Sequence, residues 1–422
     1  MPNRLTRYII IGLVLGIASG YIAYAYFPES SARFAELASL LPTIFLRLIK
    51  MIIAPLVFTT LVVGIAKMGD IATVGRIGSK ALGWFICASI VSLTLGLILV
   101  QLFEPGKAMQ LAIPEANAAS SVKADSLSLA NFISHTVPTS IIDAMARNEI
   151  LQIVVFSLFF GTAMAAMGER SKSVTEVLDV VAHIMLKVTG YVMNFAPLAV
   201  FGALAGTVAK EGLGIIQVYG IFVGEFYLGL AILWGLLMLA GGFVIGPRVV
   251  DLVRRIREPV ILAFSTASSE AAYPKTLEEL ERFGCSNRVA SFVLPVGYSF
   301  NLDGSMMYCT FAIMFIAQVY GIELTIGQQI VMLAVLMLTS KGIAGVPRAS
   351  LVVIAAALPQ FNIPEAGMLL LLGIDHFLDM GRSATNVVGN SIATAVVSKW
   401  EGELQPTPVE LNGAIAENRS VG

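Results

Sequence analysis

The order of apolar and polar residues along the chain predicts helices that are long enough to cross a lipid bilayer. A membrane-spanning helix needs about 20 consecutive apolar residues, and residues 1–250 contain six such runs. The runs are Tyr8–Phe27, Leu40–Ala66, Leu82–Phe103, Ile150–Met167, Val181–Val208 and Ile215–Ile245. A polar segment, Glu104–Ser126, separates the third run from the fourth. We therefore expect residues 1–250 to form six transmembrane helices.

Two apolar stretches in the C-terminal part of the chain are too short to cross the bilayer and return as full helices. Pro259–Tyr273 is interrupted by serines and a glutamate, and Gln328–Leu358 is interrupted by residues 340–350, which include two glycines and a proline. Each arm would be about 15–22 Å long as a helix, whereas the apolar core of a bilayer is about 30 Å thick. The pattern therefore predicts two re-entrant hairpins, each made of two half-helices that meet at a polar tip.

A further helix, between the two hairpins, is broken at its centre. Val289–Val319 is apolar except at the sequence NLDG of residues 301–304. Irregular backbone at membrane depth is tolerated only where protein or water covers it, and paired interrupted segments indicate the binding site of a transporter. The predicted plan of residues 251–400 is hairpin 1 at about 251–280, a broken seventh helix at about 284–322, hairpin 2 at about 327–362 and an eighth helix at about 364–398. Residues 401–422 are expected to form a cytoplasmic tail.

Polar residues form one narrow stripe on the eighth helix, within Leu369–Asn390. At about 100° per residue, the charged and amide positions fall within roughly 80° of the helix circumference. These positions are Asp375, Asp379, Arg382, Asn386 and Asn390, with Ser383 at the edge of the stripe. Charged side chains at membrane depth are costly and face protein or a water-filled cavity. The stripe is either a structural Asp–Arg ion pair between helices or a site for a small zwitterion or anion.

Composition indicates a polytopic membrane protein and argues against several other classes. Of the 422 residues, 57% are hydrophobic and 13% are charged, whereas soluble domains have about 25% charged residues. The net charge of −1 says nothing about nucleic acid, but no basic arm is present, so a nucleic-acid partner is not expected. Cys87, Cys285 and Cys309 stand alone, so neither a disulfide framework nor a zinc site is indicated. Because nucleotide-binding motifs are absent, an ion gradient must drive any uphill transport.

The distribution of Lys and Arg predicts the orientation in the membrane, because cytoplasmic loops carry the excess of these residues. They cluster before the first run and after the second, fourth and sixth runs, at Arg4, Arg7, Lys67, Arg76, Lys80, Arg170, Lys172, Arg248, Arg254, Arg255 and Arg257. Both termini are therefore expected in the cytoplasm, with Glu104–Ser126 outside. We expect a multi-pass protein of the cell's inner (plasma) membrane, in contact with its lipids. The N-terminal run is interpreted as the first transmembrane helix rather than a signal peptide.

Four motifs in the C-terminal part resemble those of the dicarboxylate/amino acid:cation symporter family, which includes the glutamate transporters. They are ASSEAAYP (267–274), PVGYSFNLDGS (295–305), SKGIAGVP (340–347) and GIDHFLDMGRSATNVVGN (373–390). The pattern is closest to that of bacterial proton/glutamate-aspartate symporters. The resemblance implies an all-α homotrimer, with eight transmembrane helices and two re-entrant hairpins of opposite orientation in each protomer.

The resemblance also implies an elevator mechanism, in which a transport domain slides along a trimeric scaffold. The second, fourth and fifth helices would form most of the scaffold. The two hairpins and the seventh and eighth helices would form the transport domain, with the third and sixth helices packed beside them.

Residue chemistry and the resemblance together give roles to the candidate substrate-binding residues. The planar guanidinium of Arg382 matches a carboxylate with two parallel hydrogen bonds, so we expect it to bind the substrate's distal carboxylate. By resemblance, Asp379 faces an α-amino group, Asn386 assists, the tip of hairpin 1 binds the α-carboxylate and hairpin 2 closes as a lid. The full set is Arg382, Asp379, Asn386, Ser383, Ser268, Ser269, Ala344, Gly345, Val346 and Pro347.

Asp379 bears on the choice of substrate. Family members that carry C4 dicarboxylates without an amino group tend to lack this acid, and a buried carboxylate would repel a wholly anionic ligand. The sequence therefore favours glutamate or aspartate as the substrate. A C4 dicarboxylate such as succinate, fumarate or malate is the alternative.

The sequence leaves two candidates for the coupling ion, the proton and sodium, and it favours the proton. No other cofactor is expected. Sodium-coupled members carry Asp, Tyr and Thr where this chain has Asn390, Phe85 and Ala88, so at least two sodium sites are weakened. Glu270 is either a buried proton carrier or a solvated residue paired with Lys275. By resemblance, the ion-coupling candidates are Asp303, Asn301, Asn390, Asn386, Ser89 and Glu270, with Asp303, Asn301 and Asn390 as the sodium ligands.

Two other classes of function remain as rivals. An intramembrane hydrolase would use Ser268 or Ser340 with Lys341 as a base. However, Ser340 and Lys341 point about 100° apart on a helix, and no GxSxG or HExxH motif is present. We therefore do not expect an enzyme. A passive anion channel would have a similar polar interior but would not concentrate its solute.

Overall fold

The computed structural model describes residues 2–68, 71–108, 136–212, 214–339, 349–372 and 374–406, and these residues are almost entirely helical. The helices of the N-terminal part are α1 (Pro2–Tyr26), α2 (Pro28–Met68), α3 (Ile71–Phe103), α4 (Pro105–Ala108), α5 (Ile141–Arg147), α6 (Ile150–Met167), α7 (Lys172–Met193), α8 (Ala196–Glu211) and α9 (Gly214–Ile245). The helices of the C-terminal part are α10 (Arg248–Arg255), α11 (Arg257–Thr266), α12 (Ser269–Phe283), α13 (Asn287–Phe300), α14 (Asp303–Val319), α15 (Ile326–Thr339), α16 (Ala349–Ala357), α17 (Met368–Leu372) and α18 (Asp375–Trp400). Short 3₁₀ turns lie at Gly168–Ser171, Leu358–Phe361 and Glu365–Gly367.

Several of these helices are long and apolar enough to span a membrane, in agreement with the all-helical membrane class that the sequence predicts. Within the described ranges, six segments meet this condition by length and composition. They are Arg7–Tyr26, Pro28–Ala66, Ala72–Lys107, Ile150–Met193, Tyr219–Ile245 and Asn287–Val319. The number of eight transmembrane helices stays a prediction.

The fifth predicted span is wrong in one respect, because Val181–Val208 is not one continuous helix. It belongs to α7 and α8, which are separated by a turn at Asn194 and Phe195. Pro197 gives the physical reason, since proline has no backbone N–H and favours the first turn of a helix over its interior. It lies in the first turn of α8.

Helix α1 packs closely against α8 through a row of glycines. Gly12, Gly16 and Gly20 lie one turn apart on one face of α1. A Cβ atom at Gly16 would lie 2.6 Å from the carbonyl oxygen of Phe201 in α8, and Cβ atoms at the other two glycines would meet α8 equally closely. Small residues at such positions let the backbones of membrane helices approach each other.

The first predicted hairpin is a helix–turn–helix made of α11 and α12, which pack against each other. At the turn, the backbone of Ala267 is left-handed, with φ = 50°. The hydroxyl of Ser268 accepts a hydrogen bond of 3.3 Å from the N–H of Ala271, so Ser268 is the N-cap of α12, a position that favours serine. In the second predicted hairpin, α15 and α16 are the arms, and residues 340–348 lie outside the described ranges.

The broken helix is present as predicted, but the start of the eighth helix differs from the prediction. Asn301 and Leu302 separate α13 from α14. Leu369–Asn390 is not one helix, because α17 ends at Leu372 and α18 begins at Asp375. A carboxylate in the first turn of a helix is stabilised by the helix dipole and by the N–H groups there. The charged stripe therefore begins at the start of a helix.

Helix α18 is the centre of the C-terminal part of the chain. It packs against α3, α9, α11, α12, α13 and α14, and all of residues 380–398 are buried. Two hydrogen bonds attach α9 to it. The Tyr227 hydroxyl donates to the Phe377 carbonyl at 2.6 Å, and Trp234 Nε1 donates to Thr385 Oγ1 at 2.8 Å. Most of the polar stripe of α18 is therefore enclosed by protein, and Asp379 is its partly exposed member.

The residues that follow α18 fasten it to α3, and we call residues 401–405 the C-terminal strap. The side chain of Glu401 is 1% exposed. Its carboxylate oxygens lie 2.9 Å from Arg76 Nη2 and 2.7 Å from Lys80 Nζ. Burial alone would raise the pKa of Glu401, but the hydrogen bonds and charges of Arg76 and Lys80 outweigh it and hold the pKa below its ordinary value.

The rest of the strap binds the segment between α12 and α13. Glu403 accepts a hydrogen bond from Ser286 and forms an ion pair with Arg288. The N–H of Gln405 donates to the carbonyl of Gly284 at 2.9 Å. Gly284 has φ = 112°, and a Cβ there would collide with Gln405, so glycine is required. The strap therefore ties α3, α12, α13 and α18 together at one end of the bundle.

We expect Glu401→Gln to destabilise the protein by about 1 kcal/mol, a modest value because the two cations are partly screened by water. Because the pKa of Glu401 is lower in the folded state, the stabilisation is present above the ordinary value of 4.5 and is lost as the pH falls through the folded-state pKa. The apparent melting temperature in detergent, measured at several pH values from neutral to acid, checks this. Glu365→Gln, a change at an exposed glutamate, is the control. If the difference in melting temperature between Glu401→Gln and the wild type becomes larger at acid pH, the prediction is contradicted.

Candidate functional site

The polar stripe of α18 contains a buried charge cluster centred on Arg382. Its Nη2 lies 3.0 Å from Oδ1 of Asp375 and 2.9 Å from Oδ1 of Asp379. Positions three and seven residues before Arg382 fall on its own face of the helix, which explains the contact. The ring of Tyr308, from α14, lies 4.2 Å from the guanidinium carbon. We call these four residues the guanidinium cluster.

The two acids of the guanidinium cluster differ in exposure. The side chain of Asp375 is 0% exposed and that of Asp379 is 24% exposed, whereas that of Arg382 is 1% exposed. The Tyr308 hydroxyl also lies 3.4 Å from Oδ1 of Asp375. Asp375 is therefore a fixed counter-charge, while Asp379 lies where a ligand can reach it.

Some N–H donors of the Arg382 guanidinium have no hydrogen-bond partner in the described part of the protein. Its Nε and Nη1 atoms are buried and have no hydrogen-bond partner among the described residues. A guanidinium carries five N–H donors in a planar fork, and each buried donor that stays unpaired costs about 1–3 kcal/mol. Nε and Nη1 lie on different edges of the fork, and each shares its edge with Nη2. Each can therefore bind one ligand oxygen, and a carboxylate can reach two parallel N–H groups once Asp379 releases Nη2.

Asn386 lies one turn beyond Arg382 and attaches α18 to the start of α14. Its Oδ1 accepts hydrogen bonds from the N–H groups of Gly304 at 2.9 Å and of Ser305 at 3.4 Å. Its Nδ2 donates to the Ser305 hydroxyl at 3.2 Å. These bonds satisfy N–H groups that a helix start leaves without partners. The predicted role of Asn386 in substrate recognition stays a prediction.

The three predicted sodium ligands come together where α13 is broken from α14. Asn301 Nδ2 donates to Oδ2 of Asp303 at 3.1 Å and to Oδ1 of Asn390 at 3.2 Å. The hydroxyl of Ser92, from α3, lies 3.4 Å from Oδ1 of Asp303. We call these four buried residues the break cluster. Ser89 is buried on α3 one turn before Ser92.

The break cluster also contains polar atoms that the described residues do not satisfy. Oδ1 of Asn301 and Nδ2 of Asn390 are buried without a hydrogen-bond partner in the described ranges. An amide oxygen of this kind suits a hard cation. The described ranges contain no group of three or more His, Cys, Asp and Glu side chains that could hold a metal ion.

Only some of the residues predicted at the hairpin tips lie within the part of the chain that the structure describes. Ser268 and Ser269 lie half-buried at the turn of hairpin 1, and Ser268 serves as the N-cap described above. Ser383 is buried on α18. The predicted lid residues Ala344, Gly345, Val346 and Pro347 lie outside the described residues.

Glu270 faces a small cavity between hairpin 1, α2, α6 and α13 that is also lined by Tyr273 and Tyr298. The predicted alternative, an ion pair between Glu270 and Lys275, is wrong. Lys275 instead lies 2.9 Å from Glu278 and 3.1 Å from Glu279, which are three and four residues further along the same helix and so share its face. The role of Glu270 as a proton carrier stays a prediction.

Several residues of the site were missed by reasoning from the sequence. Ser305 lies inside the motif PVGYSFNLDGS, so the motif itself could have indicated it. Tyr308 and Ser92 lie on apolar helices and carry no local signal. They reach the site only because α14 and α3 pack against α18.

Comparisons with known proteins find one family and many similar transporters. The sequence model of the sodium:dicarboxylate symporter family matches residues 5–400. The C4-dicarboxylate transport protein of Citrifermentans bemidjiense is 40% identical over 405 residues, which are 94% of this chain and 90% of that protein. The C4-dicarboxylate transport protein of Bacillus subtilis is 37% identical over 405 residues, which are 95% of this chain and 94% of that protein.

We expect the loss of Asp375 to destabilise the protein more than the loss of Asp379. Asp375→Asn removes a fully buried counter-charge, and breaking a buried ion pair costs about 3–5 kcal/mol. Asp379→Asn removes a partly exposed partner and is expected to cost about 1 kcal/mol. The apparent melting temperatures of these two matched variants in detergent check the order. Equal melting temperatures would show that Asp375 has no special structural role.

Proposed function

The chain belongs to the sodium:dicarboxylate symporter family, a family of membrane transporters, and we propose that it carries a C4 dicarboxylate across the membrane together with a cation. The observation that carries the proposal is the guanidinium cluster, where two donor atoms of buried Arg382 are left for a ligand. The names of the relatives support a dicarboxylate rather than the acidic amino acid that the sequence favours.

In this proposal, Arg382 binds one carboxylate of the substrate. Once Asp379 has released Nη2, the planar fork can form two parallel charge-assisted hydrogen bonds with this carboxylate. The face of Tyr308 and the carboxylate of Asp375 hold the guanidinium in place before the substrate arrives, so little ordering is needed on binding. The tip of hairpin 1, with Ser268 and Ser269, takes the second carboxylate.

Charge balance gives a physical reason for a cation to accompany the substrate. The guanidinium cluster has one positive and two negative charges, and a dicarboxylate adds two more negative charges. Uncompensated charge in an enclosed, apolar site is strongly unfavourable. A proton on Asp379 or a cation in the break cluster would offset this excess, which supports coupled transport over a passive anion channel.

Asp379 favours a second candidate, an acidic amino acid such as aspartate or glutamate. Its carboxylate lies 2.9 Å from Arg382 and its side chain is 24% exposed, so the ammonium group of an amino acid could pair with it. The substrate itself would then supply the positive charge that a dicarboxylate lacks. The two candidates differ in what neutralises Asp379.

We favour the proton as the coupling ion and keep sodium as the alternative. The break cluster holds a single carboxylate, that of Asp303, together with the amides of Asn301 and Asn390. A hard cation binds best where several oxygen ligands converge, and here one amide presents its NH₂ group to both neighbours. Protons can be carried by Asp379 or by Glu270 at the tip of hairpin 1.

The homotrimer, the elevator movement and the orientation with both termini in the cytoplasm belong to the same proposal, and family membership supports them. The packing of α3 and α9 on α14 and α18 supports a transport domain formed by residues 251–400 with these two helices. The packing of α2 against α6 and α7 supports a scaffold made from them.

Arg382→Lys is expected to reduce substrate uptake by about 10- to 100-fold, because lysine keeps the charge but loses the two parallel hydrogen bonds. The measurement is uptake of labelled succinate, fumarate, malate, aspartate and glutamate into proteoliposomes. Arg254→Lys, at an exposed position in α10, is the control. If Arg382→Lys takes up substrate at the wild-type level, Arg382 is not the carboxylate ligand.

The same set of substrates decides between the two candidates. We expect succinate to be taken up by the wild type and not to be displaced by an excess of aspartate. If aspartate is taken up in preference, and if Asp379→Asn weakens aspartate uptake more than succinate uptake, the second candidate is correct.

An inward proton gradient is expected to drive uptake above the outside concentration, and a sodium gradient at equal pH is not. Asn390→Asp adds a carboxylate to the break cluster, so we expect this variant to gain sodium dependence. Asn362→Asp, at an exposed position, is the control. If a sodium gradient alone drives concentrative uptake in the wild type, sodium and not the proton is the coupling ion. Uptake that never exceeds the outside concentration would indicate a passive channel.

A further inference from the structure

Glu225 is an acidic side chain inside an otherwise apolar span. The segment Tyr219–Ile245 of α9 is long and apolar enough to cross a membrane, and it contains no other Asp, Glu, Lys or Arg. Glu225 lies about 9 Å along the helix from the start of this segment. A carboxyl group at such a depth is costly, and where one occurs it usually has a partner or a function.

The carboxyl group of Glu225 is incompletely paired in the part of the chain that the structure describes. Its Oε2 is buried and has no hydrogen-bond partner there. Moving an ionised carboxylate out of water without a partner costs far more than moving a neutral polar group. The protonated, neutral acid is therefore the form that fits this environment.

The side chain of Glu225 lies on the face of α9 that is directed away from the guanidinium cluster. Tyr227 and Trp234 donate hydrogen bonds to α18 and so mark the face of α9 that contacts it. Glu225 lies about 160° around the helix from Tyr227. One turn further along, a Cβ at Gly229 would lie 2.8 Å from Leu99 of α3. Glu225 therefore lies on the side of α9 that meets α3.

Among the residues that the structure describes, the helices packed against α9 place no unpaired cation beside Glu225, and Lys107, just beyond the end of α3, is paired with Glu104. These helices are α3, α10, α14 and α18. Their charged or titratable groups are Arg76, Lys80 and Cys87 in α3, Arg248, Asp251, Arg254 and Arg255 in α10, Asp303, Tyr308 and Cys309 in α14, and Asp375, His376, Asp379, Arg382 and Lys399 in α18. Arg382 is paired within the guanidinium cluster. The other lysines and arginines lie at the end of the bundle that holds the C-terminal strap, about 30 Å from Glu225 along the helices.

We propose that Glu225 is a proton-binding site, separate from the guanidinium cluster, and that α9 can move through the membrane only while this site is occupied. The proposal rests on the proposed function, since it assumes that α9 moves with the substrate helix. When the proton leaves, the carboxyl O–H bond breaks, its electron pair stays on the carboxylate and the proton passes to water. The remaining charge holds Glu225 where water can reach it, and transport stops.

Modification with dicyclohexylcarbodiimide tests the occupancy of this site without relying on transport. The reagent adds to protonated carboxyl groups in apolar surroundings and leaves an N-acylurea adduct. Mass spectrometry of the peptide that contains Glu225 is expected to find the adduct in the wild type at acid pH and to find less of it at alkaline pH. Absence of the adduct on Glu225, or an equal yield at both pH values, would overturn the proposal.

The pH dependence of uptake tests the functional part of the proposal. Above the titration point of a single group, the protonated fraction falls about tenfold for each pH unit, so wild-type uptake should fall steeply at alkaline pH. Glu225→Gln imitates the neutral acid, so its uptake is expected to fall less steeply than that of the wild type over the same range, and the coupling proton accounts for the fall that remains. Glu365→Gln should keep the wild-type profile.

The outcomes separate this proposal from the proposed function. A fall in uptake at alkaline pH that is as steep in Glu225→Gln as in the wild type would overturn the role of Glu225 while leaving dicarboxylate transport in place. A wild type that takes up none of the substrates would overturn the proposed function, and the carbodiimide adduct would still decide whether Glu225 holds a proton.

Discussion

The charge of Arg382, buried among apolar helices, is the constraint on which the rest of the C-terminal part depends. An isolated guanidinium in such surroundings would be strongly unfavourable. Helix α18 therefore supplies Asp375 and Asp379 at helical spacing, and α14 supplies the face of Tyr308. Because only Asp379 is partly exposed, the two acids have different tasks. Asp375 holds the arginine, and Asp379 can change its partner when a ligand arrives.

Close contact between backbones brings the guanidinium cluster and the break cluster to one junction. A Cβ at Gly304 would lie 2.6 Å from the carbonyl oxygen of Arg382, and a Cβ at Gly389 would overlap the carboxylate of Asp303. Asn386 binds the N–H groups at the same point. A movement of either cluster must therefore displace the start of α14. This junction gives substrate binding and cation binding a physical connection.

Most of the fold could be predicted from the sequence, because bilayer thickness sets the length of apolar runs and polar residues inside such runs are costly. The broken helix and the turn of hairpin 1 were visible for that reason. The turn inside Val181–Val208 and the late start of α18 were not, since a break of a few residues hardly changes the hydropathy. Contacts such as Tyr308 with Arg382 join distant segments, and no local pattern specifies them. The identity of the substrate depends on which group neutralises the charge of Asp379, and the sequence does not determine that group.

The C-terminal strap affects the order in which the contacts of α3 can form. Glu401 follows Arg76 by 325 residues, so the ribosome has made nearly the whole chain before these two side chains can meet. Helix α3 packs against α9, α13, α14 and α18, and it gains the ion pairs of the strap last. A transcript that ends shortly before this point would still yield inserted helices. The ion pairs of the strap would be missing, so we expect such a product to be less stable than the full chain.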